Sequence, residues 1–334
     1  MSDHYEYRFE DHSVLLRLMK PGLGRLVRVL PTWVSPNAVT LGGHLAAWTG
    51  LAVVFAAPKI DARVFVFVAL ANLVYVIADC VDGMLARHTK RASPLGELLD
   101  HWLDAYSVPI VPLGVGFAMQ QPGWLVLAAT VAVSFTHFGT FLHGFRLGHV
   151  HLGAVGIIEG AFVASAACIV AALIGVDPLI VPRFGGVSVA NALLVSVVLG
   201  GLGAFGSMRG LVRYLGEVVP IVLLFALVLG WYAVGRLTLP GAGFLLLVLG
   251  AWQDGNTTGA RLLRTRLVLW DPIAIALLVG ALVLSVALDL DASHQALAAT
   301  VVALYALGRG GAGFFAGVSA LRGRAPKTSP PYPT

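Results

Sequence analysis

Apolar residues fill most of the chain in runs of about 17–25, the length a helix needs to cross a bilayer core. Ten such runs predict membrane-spanning helices: 37–58, 62–86, 95–118, 122–145, 152–176, 187–208, 218–236, 238–254, 271–290 and 294–320. The breaks between them carry Pro and Gly punctuation, as in Ala57-Pro58-Lys59 and Gln121-Pro122-Gly123. At Leu239-Pro240 one re-entrant element over 218–254 is an alternative to two spans. Ahead of the first run, residues 11–30 alternate leucine clusters with Arg17, Lys20, Arg25 and Arg28 around Pro21-Gly22. That pattern predicts two short amphipathic helices lying on the inner membrane surface. The chain thus divides into an interfacial segment, 1–35, a single transmembrane domain, 36–320, and a disordered proline-rich tail, 321–334.

Composition narrows the class. Of 334 residues, 58% are hydrophobic and 12% charged, against about 25% charged in soluble domains. One soluble core cannot hide that much apolar surface, so the fold class is an all-α polytopic integral membrane protein. With the amino terminus placed in the cytoplasm, most of the 22 Lys and Arg fall on the cytoplasmic side, and only Lys59, Arg63, Arg183 and Arg236 fall outside. This bias puts both termini in the cytoplasm and accounts for the net charge of +5 without a nucleic-acid partner. Cys80 and Cys168 lie in apolar runs and make neither a disulfide framework nor a thiolate metal site.

Charged side chains are costly in a bilayer, so a concentration of them calls for a function. Asp79 and Asp82 stand three residues apart at the cytoplasmic end of the second span, and Asp100 and Asp104 stand four apart at the start of the third. Each spacing puts both carboxylates on one helical face. The short loop between the spans packs the helices antiparallel, with all four carboxylates facing one another. Such a group needs divalent cations, and an all-oxygen set suits Mg²⁺ or Mn²⁺ better than zinc. Gly83 and Gly96 remove side chains where a ligand approaches the backbone.

The run Asp79-Cys-Val-Asp82-Gly83-Met-Leu-Ala86-Arg87, eight residues, then Gly96-Glu-Leu-Leu-Asp100-His101-Trp-Leu-Asp104 resembles the CDP-alcohol phosphotransferase motif D-x2-D-G-x2-A-R-x8-G-x3-D-x3-D at every fixed position. Ala92-Ser93-Pro94-Leu95-Gly96 and Trp33-Val-Ser-Pro36-Asn37-Ala-Val-Thr40-Leu41 are similar to the choline/ethanolamine phosphotransferase branch, which the ten-span count also fits. The resemblance implies that Asp79, Asp82, Asp100 and Asp104 bind two divalent ions. It implies that Gly83, Ala86, Arg87 and Gly96 cradle the CDP moiety at the cytoplasmic face. The implied reaction belongs to phospholipid biosynthesis: a lipid hydroxyl such as that of diacylglycerol attacks the phosphorus bearing the alcohol, and CMP leaves. The base is His101 or Asp104. Substrates are then a CDP-alcohol and a lipid, and a homodimer among membrane lipids is the implied assembly. Trp102-Leu103 departs from the branch, where a small residue and a cysteine stand.

Other polar residues add expectations. Glu159 in the fifth span is a candidate for the substrate pocket. His137 and His143, six apart on the fourth span, point in different directions and do not suit a shared metal. Asp254-Gly-Asn256 with Arg261, Arg264 and Arg266 reads as a polar, basic cytoplasmic segment, and Arg309 as a snorkelling side chain. Two rival functions remain. CDP-diacylglycerol could be the donor to a soluble alcohol such as inositol phosphate or glycerol phosphate. A cation transporter is the more distant one, since no later segment mirrors the paired carboxylates of 79–104.

Overall fold

The computed structural model describes residues 9–147, 150–152, 156–182, 185–207 and 214–322. The amino-terminal helix α1 (Val14–Val29) precedes α2 (Pro36–Ala56), α3 (Ala62–His88), α4 (Pro94–Ser107), α5 (Ile110–Ala118) and α6 (Gly123–Leu147). There follow α7 (Ile157–Ile174), the single turn α8 (Asp177–Ile180), α9 (Val189–Ser207), α10 (Leu215–Ala233), α11 (Leu239–Leu263), α12 (Pro272–Ala287) and α13 (Ala292–Arg322). Apart from the helices, Phe9–Asp11 (β1) and Val150–Leu152 (β2) pair in parallel over three residues. Among the described residues, α2, α3, α6, α7, α10 and α13 are long and apolar enough to cross a membrane, and α9 and α12 contribute shorter apolar helices.

Three expectations change, and the two-helix reading of 218–254 holds over its re-entrant alternative. Residues 95–118 are two helices, because Pro109 has no N–H to continue the ladder and caps a new start at Ile110. Residues 218–254 are two separate helices. Gly235, at φ 71°, turns the chain after α10, and Thr238 caps α11 by accepting from Gly241 N at 3.2 Å. The segment around Asp254 is helical interior, since α11 runs on to Leu263. The amino-terminal segment is one helix, not two. It continues through Pro21 because Leu23 and Val27 are buried against Val81 and Leu85 of α3, and this packing offsets the hydrogen bond lost at the proline.

Two features set up the interior. α2 and α3 pack closely because glycines line their crossing: a Cβ on Gly43 would stand 2.6 Å from Ala78 Cβ, and one on Gly50 would stand 3.0 Å from Ala71 Cβ. This brings the polar face of α2 against the carboxylate end of α3. α11 is the central post, buried from Leu245 through Asp254, and packs against α4, α6, α10 and α13. Leu245, Leu246 and Leu249 of α11 meet Phe138 and Leu142 of α6 and Ile221 and Val228 of α10 in the largest apolar cluster.

Candidate active site

The site is assembled where α2, α3 and α4 meet. Ser93 starts α4 by accepting from Gly96 N at 3.1 Å, with Pro94 in the first turn; such a cap is worth about 1 kcal/mol. That start fixes the phase of the helix, so Asp100 and Asp104 share the face turned toward α3. Burial and the charges of Asp82, Asp104 and Asp79 all act on Asp100, and Asp100 and Asp104 come within metal-bridging distance of each other.

Neighbouring side chains orient two of them. Tyr75, buried one turn before Asp79, donates its hydroxyl to Asp104 Oδ1 at 2.8 Å. Thr40 of α2 hydrogen-bonds Asp82 Oδ2, and Asp82 is buried. His44, one turn further along α2, holds Ser107 Oγ at 2.7 Å through Nδ1 and directs Nε2 toward Asp104 Oδ1, 4.0 Å away. Trp48 Nε1 donates to the same Ser107 Oγ at 2.9 Å. Ligand atoms of His44, Asp100 and Asp104 all lie within 4.8 Å of one another, a spacing one metal ion can bridge. Asp100 Oδ1 is buried and has no hydrogen-bond partner, a state that costs about 1–3 kcal/mol or more for a charged oxygen unless a cation satisfies it. The donor set therefore fits hard divalent ions.

The glycines of the expected donor cradle have side chains near them but none that excludes a Cβ. A Cβ on Gly83 would touch Arg87 Nη1 at 3.4 Å, and one on Gly96 would lie 3.4 Å from both Asn37 Oδ1 and Ser93 Oγ, ordinary contact distances. Arg87 follows Gly83 by four residues and its charge acts on Asp82. His101 is buried on α4, with Nδ1 3.9 Å from Asp100 Oδ2 and its ring against Phe141 of α6. Trp102 stacks on Phe314 of α13 at 4.4 Å and meets Tyr106 edge-on at 5.2 Å. Its ring lies against Gly255 of α11, where a side chain would collide with it.

Two predicted groups stand elsewhere. Glu159 accepts from Ser13 Oγ at 2.6 Å, Leu15 N at 3.1 Å and Gly156 N at 2.9 Å, and so ties the start of α1 to the start of α7. Arg309 does not snorkel alone: its Nε donates to Asp271 Oδ2 at 3.1 Å, beside the Tyr305 hydroxyl, which bonds the same carboxylate.

Sequence reasoning missed the far wall. Arg261 of α11 forms an ion pair with Glu97 of α4, with side chains 9% and 5% exposed. Asp254, two turns earlier on the same face of α11, is buried and hydrogen-bonded to His137 of α6. Breaking a buried pair by removing one partner strands the other charge, which costs about 3–5 kcal/mol. Glu97→Gln is expected to lower the unfolding free energy by that amount, as read by denaturant unfolding in detergent micelles; a change under about 1 kcal/mol would show the pair to be solvated.

Comparison with known proteins points the same way. The profile of the CDP-alcohol phosphatidyltransferase family matches residues 33–202, half of the chain and all of the carboxylate motif. Cholinephosphotransferase 1 of Gallus gallus is 34% identical over 179 residues, covering 50% of this chain and 53% of that protein. Ethanolaminephosphotransferase 1 of Homo sapiens is 36% identical over 117 residues, 31% of this chain and 30% of its own. Choline/ethanolaminephosphotransferase 2 of Arabidopsis thaliana is 34% identical over 118 residues, 34% of this chain and 30% of its own. The chain thus spans about half the length of the first of these relatives and less of the others.

Proposed function

Because the chain belongs to the CDP-alcohol phosphatidyltransferase family, we propose that it makes phospholipid by moving a phosphoalcohol, choline- or ethanolamine-like, from a CDP-alcohol to a lipid hydroxyl such as that of diacylglycerol, with release of CMP. The observation that carries this reading is the convergence of four carboxylates on a helix pair whose surroundings orient oxygen ligands and leave Asp100 Oδ1 unsatisfied. Asp79, Asp82, Asp100 and Asp104 would hold two divalent ions, Mg²⁺ or Mn²⁺. When bound there, such ions supply neutralisation of the charge on the transferring and leaving oxygens. Gly83, Ala86, Arg87 and Gly96 would seat the CDP moiety, with the Arg87 guanidinium beside its phosphates. His101 and Asp104 are the candidates on α4 for the proton of the acceptor, and a metal-held carboxylate is the weaker base of the two.

The proposal extends to the membrane. About ten spans would match the ten apolar runs, and the bias of Lys and Arg to one side supports a carboxylate cluster at the cytoplasmic face and both termini in the cytoplasm. The amphipathic α1 would lie in the interface. A homodimer would use small-residue faces of the later helices, where Gly280, Gly308 and Gly311 have open space around them.

The test is CMP release from detergent-purified protein with Mg²⁺ or Mn²⁺. CDP-choline or CDP-ethanolamine with diacylglycerol is expected to release CMP. Release only from CDP-diacylglycerol with soluble alcohols would keep the metal chemistry and reverse the substrate assignment, and silence with every donor would overturn the reading.

A further inference from the structure

Two turns at the Leu239 end of α11 bring opposite charges together. Arg236, in the turn after α10, pairs through Nη2 with Asp289 Oδ1 of the turn after α12, 2.5 Å away. Asp291, just before α13, is engaged by His294 Nδ1 at 2.9 Å. This end of the molecule is remote from the carboxylate cluster. From Leu239 to Arg261 the helix rises about 33 Å, close to the thickness of a bilayer's hydrocarbon core.

Two cavities meet at these charges. One of about 530 Å³ is lined by Arg236, Asp289 and Asp291. The other, of about 360 Å³, is an apolar groove between α11 and α13, past Gly241, Phe244, Ala299, Ala303 and Leu307. Arg236, Thr238, Ala292 and Gln295 border both, so the charged mouth and the apolar groove are continuous. Ala292, Ala296, Ala299 and Ala303 recur at helical spacing on α13, and their small side chains keep the groove open. Phe244, Leu304 and Leu307 on its lining are exposed, so it opens sideways, between the helices. An apolar hollow with a few charged groups at one end is the usual form of a ligand site.

We propose that this cleft binds a zwitterionic glycerophospholipid, with one acyl chain in the groove and the headgroup at the charged mouth. Arg236 offers its guanidinium fork to the phosphate, and Asp289 and Asp291 take the ammonium. A purely anionic headgroup would answer Arg236 but would also meet two carboxylates. A zwitterion answers both signs. The groove, at about 360 Å³, suits a hydrocarbon chain rather than a helix of a second copy, which with its side chains is about 10–12 Å across. Bound there, the lipid fastens α11 to α13 and to the turn after α12. None of these residues belongs to the carboxylate site, so lipid binding here is independent of the phosphotransfer reading.

The experiment titrates the lipid-stripped full chain, in dodecyl maltoside, with dioleoylphosphatidylethanolamine and follows lipid adducts by native mass spectrometry. The wild type is expected to bind it at least about tenfold more tightly than dioleoylphosphatidylglycerol, whose headgroup leaves both carboxylates unanswered. Arg236→Gln removes the phosphate's partner and should weaken binding about tenfold. Asp289→Asn combined with Asp291→Asn should erase the preference between the two headgroups. Ala296→Trp fills the groove and should abolish the adduct. Equal affinity of the wild type for both lipids would overturn the proposal, as would Arg236→Gln and Ala296→Trp binding as the wild type does. So would Ala296→Trp splitting a dimer while the adduct persists, since a second copy would then fill the groove. Adduct formation needs no CDP-alcohol, so silence in the CMP assay would overturn the phosphotransfer reading and leave the lipid site standing.

Discussion

Asp100→Asn is expected to lower CMP release by at least about 10³-fold, and in metal-free protein to raise the melting temperature. Asn keeps the size of the side chain, so the helix and its packing persist. What disappears is one negative charge among four. Metal-borne neutralisation is worth several kcal/mol in the transition state, and each 1.36 kcal/mol is about tenfold in rate. The opposite sign for stability follows from the burial of Asp100 first and from the charges of Asp82, Asp104 and Asp79 acting on it second. Without a cation, these carboxylates repel one another, and a neutral amide relieves that repulsion. Steady-state CMP release and thermal unfolding in the presence of a chelator check the two halves. A variant that keeps full rate, or one that melts lower without metal, would remove Asp100 from the ion site.

Tyr75→Phe has the next largest expected effect, a loss of about 10–100-fold in Mn²⁺ affinity, the range seen when an outer-shell partner of a metal ligand is removed. The phenol reaches Asp104 Oδ1 at 2.8 Å and turns that carboxylate toward Asp100 and His44. The ring itself is buried and packs beside Ala47 and Val108, contacts that Phe retains. Stability should therefore change far less than affinity, and a Mn²⁺ titration followed by electron paramagnetic resonance separates the two. An unchanged affinity would mean that Asp104 is held by its helix alone.

What the sequence could and could not disclose follows from range. Asp79 with Asp82 and Asp100 with Asp104 are local spacings, three and four residues, and helical periodicity alone aligns them. Ser93-Pro94 marks a helix start for the same reason. The supporting groups are different. Tyr75 and Asp104 are 29 residues apart, His137 and Asp254 are 117, and Glu97 and Arg261 are 164. Only the packing of α3, α4, α6 and α11 brings them together, and no local pattern encodes which polar residue answers which. Asp254, Asn256 and Arg261 read as a polar cytoplasmic segment because polar residues near a span end usually face water. In the fold, Asp254 and Arg261 find partners inside and the helix runs on past them. Pro109 was legible as a residue but not as a break, because a proline in an apolar run is compatible with either a kink or a new helix.

The family profile ends at residue 202, yet α11, which begins at Leu239, supplies Asp254 and Arg261 to the walls of the reactive cluster. The carboxylates thus sit in one short stretch, and part of the wall around them is contributed by a helix outside the matched residues. Substitution along α11 can reshape what approaches the cluster while the chemistry stays fixed.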